Sequence, residues 1–164
     1  MISSFLAWLQ NSHLAMAIVG SAYLFPMIES LHVIAVTIVF GTIILVDLRL
    51  LGFASTRVPF TKIASDALKW TWGAFGLAVV TGTLLFITNA DVYYHNFYFR
   101  TKMLLLALAG LNMTVFEFTV YRSVQTWDTD RAAPPLGRTI AILSLVIWVT
   151  VIFCGRWIGF STQL

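Results

Sequence analysis

The fold is decided by the stretch MIESLHVIAVTIVFGTIILVDLRLL, residues Met27–Leu51. It is apolar over the roughly 20 residues that a helix needs to cross the hydrocarbon core of a bilayer. Three more runs of this kind follow: Trp70–Asn89, Thr101–Tyr121 and Thr139–Phe160. None alternates apolar and polar residues as a barrel strand would, so helix is the form in which they span. Gly73, Gly76 and Gly82 in the second run, and Ala107 and Gly110 in the third, are spaced to let helix backbones approach closely in lipid.

Composition agrees. Of the 164 residues, 59% are hydrophobic and 10% charged, and the mean hydropathy is +0.88. Ordinary soluble domains carry about 25% charged residues. Disorder, a soluble enzyme and a nucleic-acid-binding module are thereby excluded, and a net charge of +3 is too small to call for a nucleic-acid partner. The expected fold is an all-α integral membrane four-helix bundle, residues 27–164, preceded by an N-terminal interfacial or re-entrant helical segment, residues 1–26. Ser3–Gln10 suits a helix lying in the interface. Leu14–Phe25 is apolar but short for a span, and Pro26 resets the chain; a fifth span is the competing reading. The partner is the lipid bilayer, and a small bundle rich in apolar surface is expected to associate as a homo-oligomer or in a larger membrane complex. The lone cysteine, Cys154, reads as a packed thiol.

Basic residues set the orientation. Arg49, Arg57, Lys62 and Lys69 flank the loop after the first span, and Arg122, Arg131 and Arg138 that after the third. The positive-inside rule puts loops 52–69 and 122–138 in the cytoplasm and both termini on the other side, the periplasm of a Gram-negative cell. Trp70 and Trp72 at one end, and Tyr93, Tyr94 and Trp157 at the other, suit interfacial belts. The stretch Trp127–Pro135 reads as an exposed cytoplasmic loop.

Charges inside spans are expensive and face the bundle interior. Glu29 and His32, three residues apart, share a helix face near the outer end. Lys102 begins the third span at that level and Arg156 ends the fourth. His95 and His13 lie on the same side, so every histidine maps to the outer end. An inner set, Asp47, Arg49, Glu117 and Arg122, reads as structural ion pairs. Asn112 reads as an interhelical hydrogen bond, and Trp148, Met103 and Met113 as packing.

The outer set admits three readings. Imidazole is an axial ligand for b-type haem, and Glu29 with His32 suits a metal ion. In this redox-linked reading His95 joins them at the site, and Lys102 and Arg156 balance acidic groups such as haem propionates. No two spans offer a histidine pair, no second E-x-x-H motif follows, and copper through His13, His32, His95 and Met27 has no specific spacing. Alternatively, Lys102, Arg156 and His32 hold an anion or a quinone head group, in a small transporter or binding protein. The third reading is a non-catalytic accessory or assembly subunit locked by ion pairs. No phosphate loop, zinc-type cysteine cluster or nucleophile elbow is present.

The motifs F-P-x-x-E-x-x-H at Phe25–His32, D-L-R-L-L-G at Asp47–Gly52, K-M-L-L-L at Lys102–Leu106 with G-L-N at Gly110–Asn112, and G-R-W-I-G-F at Gly155–Phe160 span nearly the whole chain. Together they resemble an uncharacterised bacterial family of small four-helix membrane proteins. The resemblance implies a four-span architecture and a bacterial inner-membrane location. A more distant similarity links the chain to copper-resistance and b-type cytochrome membrane bundles.

Overall fold

A computed structural model of the chain describes residues 2–53, 57–129 and 131–161. Among them there is no strand. Two short helices, α1 (Ile2–Gln10) and α2 (His13–Gly20), precede the long α3 (Leu24–Leu51) and α4 (Phe60–Thr88). The short α5 (Ala90–His95) leads into α6 (Phe97–Phe118), a 3-10 turn over Tyr121–Thr126, and α7 (Pro135–Ser161). The helices α3, α4, α6 and α7 are each long and apolar enough to cross a membrane, which makes this a multi-pass membrane protein. The end of the bundle carrying α1, α2 and α5 is called upper below, and the opposite end lower.

Local chemistry sets the helix ends. The Ser12 hydroxyl accepts the Ala15 amide at 3.3 Å and starts α2. Pro26 sits inside the first turn of α3, where a missing amide hydrogen costs nothing, so α3 begins before it rather than after it. Gly52 ends α3 in the left-handed region at φ 85, a conformation that favours glycine. Asn96 caps α6 by accepting the Tyr98 and Phe99 amides at 2.9 and 3.1 Å. Its own amide donates to Ser161 Oγ at 2.8 Å, which joins the start of α6 to the end of α7. The helix α4 begins at Phe60, well before the apolar run at Trp70. Its first turns expose Lys62, Asp66 and Lys69 while burying Ala67, so they are amphipathic rather than apolar.

The spans pack as a row that closes on itself. The helix α3 lies against both α4 and α7, and α7 lies against α6. The two end members, α4 and α6, meet through large rings: Phe86 stacks on Phe99 with centroids 5.3 Å apart near the upper end, and Phe60 meets Phe116 at 5.9 Å near the lower end. Midway, Val39, Ala74, Ile147, Trp148 and Val151 form an apolar core. A second core at the lower end gathers Leu50, Phe60, Phe116, Trp127 and Ile140. Outward-facing Val79, Val80, Leu104, Leu111 and Val146 are exposed from the protein, as a lipid-facing surface requires. Lipid tails are as apolar as leucine, so helix association there relies on close packing and interhelical hydrogen bonds, worth on average about 0.6 kcal/mol each. The Thr42 and Thr71 hydroxyls join α3 to α4 at 2.7 Å, and Asn112 Nδ2 donates to the Ile140 carbonyl at 3.2 Å to join α6 to α7.

Candidate functional site

The upper third of the bundle holds a polar level to which all four spans contribute. His32 of α3 is half-buried, and its Nδ1 lies 3.0 Å from Thr81 Oγ1 of α4. The Thr81 hydroxyl already donates its only hydrogen to the Leu77 carbonyl at 2.7 Å. It must therefore accept from His32, and the Ala78 carbonyl beside it is a further acceptor for the ring. His32 is thus anchored on α4 through Nδ1–H. The ring approaches α4 closely because residue 82 is glycine: a Cβ there would lie 3.0 Å from His32 Cε1.

Lys102 of α6 completes the level. Its side chain is half-buried, and Nζ packs on the bare backbone of Gly155 in α7, 3.4 Å from where a Cβ would stand. It lies within electrostatic reach of both His32 and the buried Cys154. Among the described residues no carboxylate comes within ion-pair distance of Lys102; the ion pairs found there are Lys69–Asp66 at 3.9 Å and His95–Asp91 at 3.6 Å, both at the surface.

This polar level lies between two apolar layers. Phe99 precedes Lys102 by three residues on α6 and Phe86 follows Thr81 by five on α4, so their stacked pair lies toward the upper end of both helices. Tyr93 of α5 joins the pair with ring centroids 6.4 and 6.1 Å away. The Tyr93 phenol, outside the spans, has its pKa pushed up by burial first and by the nearby Glu29 carboxylate second. A shallow open recess lined by Val19, Phe25, Thr88, Asn89 and Tyr93 lies over it. Below the site, the core around Val39, Trp148 and Val151 fills the bundle.

Of the residues singled out at the outer level, His32 and Lys102 are half-buried, His32 against Gly82 of α4 and Lys102 against Gly155 of α7. Glu29 is exposed, one turn above His32. Arg156 is exposed, and its guanidinium lies over the Phe160 ring at 4.9 Å. His95 is exposed, with Nδ1 2.9 Å from the Asp91 carbonyl, and His13 is exposed at the start of α2. No three His, Cys, Asp or Glu side chains gather as a metal-binding group among the described residues.

The lower level is organised around Asp47 and Arg49 of the inner set and around Asp128 of the stretch read as a loop. Asp47 is buried and faces the Ser144 hydroxyl of α7. Arg49 is fully buried, and its Nη2 donates to the Asp128 carbonyl at 3.0 Å. That same carbonyl accepts the Phe60 amide at 2.9 Å, while the Asp128 carboxylate accepts the Thr61 amide at 2.8 Å and its hydroxyl at 3.1 Å. Trp127 is buried against Phe60, centroids 4.9 Å apart. The segment around Trp127 and Asp128 is therefore docked against the bundle rather than extended into solvent. Glu117 is exposed, and Arg122 lies over the Phe118 ring at 5.5 Å. Asp130, also assigned to this loop, lies outside the described residues.

Comparison with known proteins places the whole of this architecture in one family, since a single family profile matches residues 5–161. The chain belongs to DUF6644, a family of unknown function. No curated protein and no solved structure matches the chain. The DUF6644 match runs from α1 to the end of α7, so the polar level and both apolar layers fall inside it.

Proposed function

We propose that this DUF6644 protein binds the polar head of a lipid-soluble molecule between its helices, with Lys102 and His32 as the contacting groups. One observation carries the reading. Lys102 sits half-buried within a span, with no ion-pairing carboxylate among the described residues. A cation in that position is costly unless a partner supplies negative charge or polarised oxygen. The partner is then an oxygen-bearing head group from outside the chain. Native mass spectrometry and solvent extraction of the purified protein test this. A small molecule should co-purify with the wild type and with Lys102→Arg, and be lost from Lys102→Met. Its absence from the wild type, or its retention by Lys102→Met, would overturn the reading.

A second reading is favoured by the anchoring of His32. An imidazole that donates Nδ1–H to a fixed acceptor is oriented as haem and metal ligands are. In this redox-linked version Lys102 balances a propionate. Oxidised and reduced absorption spectra and elemental analysis of the native protein decide it: a Soret band or stoichiometric metal that disappears in His32→Ala supports it. The first reading ranks higher because the half-buried charged side chain at this level, Lys102, is a cation, where a second imidazole or a carboxylate would serve haem or metal better.

The same proposal includes a setting. Arg49, Arg57, Lys62, Lys69, Arg122, Arg131 and Arg138 gather at the lower end. By the positive-inside rule that end faces the cytoplasm of a bacterial inner membrane, with α1 and α2 along the opposite interface. In a Cys154→Ala background, an impermeant maleimide added to intact cells should label His95→Cys and spare Asp66→Cys. The reverse pattern would invert the topology.

A further inference from the structure

We infer that the lower end of the bundle is a docking surface for anionic phospholipid head groups, held by the exposed cations Arg57, Lys62, Lys69, Arg122, Arg131 and Arg138. This surface is separate from the Lys102 site and does not depend on which side of the membrane it faces. Helix length sets its depth. The helix α4 has 29 residues, which is about 43 Å of helix against roughly 30 Å of hydrocarbon. Its apolar part, Trp70–Thr88, is about 28 Å long and accounts for the hydrocarbon. The turns below Trp70 therefore stand in the head-group layer and just beyond it, with Trp70 and Trp72 exposed at the boundary, where indole rings concentrate. The other cations share this level. Phe60, Val120, Trp127 and Ala133 pack in one cluster with Leu50, and Gly137 lies against Val120. Lys62, Arg122, Arg131 and Arg138 are each next or next-but-one in sequence to a member of this packing.

Charge selects the partner. Among the described residues the exposed carboxylates of this end are Asp66 and Glu117, and Asp128 is committed to Thr61. Lys69–Asp66 at 3.9 Å is the only ion pair there among the described residues, so most of the positive charge is unanswered within the chain. The upper end differs: its exposed cations Arg100 and Arg156 are matched by the exposed carboxylates Glu29 and Asp91. Basic side chains at head-group depth are attracted to an anionic leaflet, and the attraction accumulates over the residues engaged. Phospholipid phosphates already occupy this depth, whereas an acidic protein would have to reach it from water.

Thermal unfolding of the full chain in a nonionic detergent, with four additives, tests this: dioleoyl phosphatidylglycerol, dioleoyl phosphatidylcholine, glycerol phosphate and polyglutamate. A ligand that binds the folded state raises the midpoint. Phosphatidylglycerol should raise it by about 4–8 °C in about 0.1 M salt, as expected for two engaged cations. The rise should vanish in about 1 M salt, where charges are screened within about 3 Å. Phosphatidylcholine and the two soluble anions should not reproduce it. The combined variant Lys62→Gln, Lys69→Gln, Arg138→Gln should lose at least half of the rise, while Arg100→Gln with Arg156→Gln at the upper end should keep it. Equal shifts with the two lipids, a rise that survives high salt, or a full rise in the lower-end variant would overturn the inference. A rise reproduced by glycerol phosphate or by polyglutamate would also overturn it, by assigning the surface to a soluble anion or to an acidic chain. None of these outcomes bears on the Lys102 site, which is read by co-purification.

Discussion

Gly82→Ala probes the site through a single methyl group. The added Cβ would lie 3.0 Å from His32 Cε1 and 3.5 Å from Nδ1. Carbon atoms in contact settle at about 3.5–4.0 Å, so the ring must retreat by about half an ångström. The bond from Nδ1 to Thr81 Oγ1 already measures 3.0 Å. Retreat carries it past the roughly 3.2 Å limit of a good N–H···O bond. Overpacking costs about 1–3 kcal/mol, and the broken interhelical bond about 0.6 kcal/mol more. Replacing glycine by alanine within a helix returns about 0.8–1.0 kcal/mol. The net expectation is destabilisation by roughly 0.6–2.8 kcal/mol. Gly76→Ala on the same helix is the control: a Cβ there meets nothing within 4 Å, so only the favourable helix term remains. Thermal unfolding of both variants in one detergent should separate them by about 3–14 °C, at about 2–4 °C per kcal/mol for a chain of this size. If the two substitutions raise the midpoint in parallel, the close approach of His32 to α4 is wrong, and the anchoring of its ring fails with it.

Further outcomes follow from the same geometry. Thr81→Val should cost about 0.6 kcal/mol, and no more than about 1.7, in unfolding measurements, and should shift the imidazole nitrogen resonances of His32. Asp128→Ala removes the acceptor for the Thr61 amide and hydroxyl. It should cost about 1–2 kcal/mol by thermal or denaturant unfolding, the range for a lost helix cap, while Asp128→Asn should recover most of that. Arg49→Ala should be the more damaging change at that end, at least about 3 kcal/mol, because it empties a fully buried site as well as removing a charged donor. For Tyr93, whose pKa is raised in the folded protein, the neutral phenol is the form that folding favours. Its contribution to stability is present in full below the ordinary tyrosine pKa and is lost as pH rises through the raised folded value. The absorbance difference at alkaline pH between wild type and Tyr93→Phe should show one phenol titrating above the rest.

Apolar length made the four spans legible, and the same signal explains where the reading stopped short. Residues 60–69 are helical but amphipathic, so an argument from apolar runs began the second span at Trp70. Pro26 was expected to reset the chain, yet in a first turn it merely begins a helix. At the polar level, His32 and Lys102 stood out because charged and titratable side chains are rare in such a sequence. Gly82 stood out only as one of several small residues spaced for close approach, and Thr81 not at all, because a threonine in a membrane helix is ordinary; the packing of α3 on α4 gives both their role. Glu29 and Arg156 show the opposite failure. Each has the right residue type at the right depth, and helix rotation turns both outward. Asp128 was hidden by its setting in a polar stretch with prolines, which reads as loop whether it is docked or free.

The Asp128 contact also has a consequence in time. Its carbonyl meets the Arg49 guanidinium across 79 residues of sequence, and its carboxylate meets Thr61 across 67. The group that fastens the lower end of the α3–α4 hairpin is therefore synthesised after both helices of the hairpin. Until α6 has crossed and the segment after it has emerged, α4 lacks its side-chain cap and Arg49 lacks this acceptor. Maturation of the lower end is consequently a late event in biogenesis, gated by the third crossing. A chain truncated just before residue 128 should persist as an inserted hairpin and helix that stay open to proteases at Phe60–Thr61, and extension past residue 128 should confer protection there.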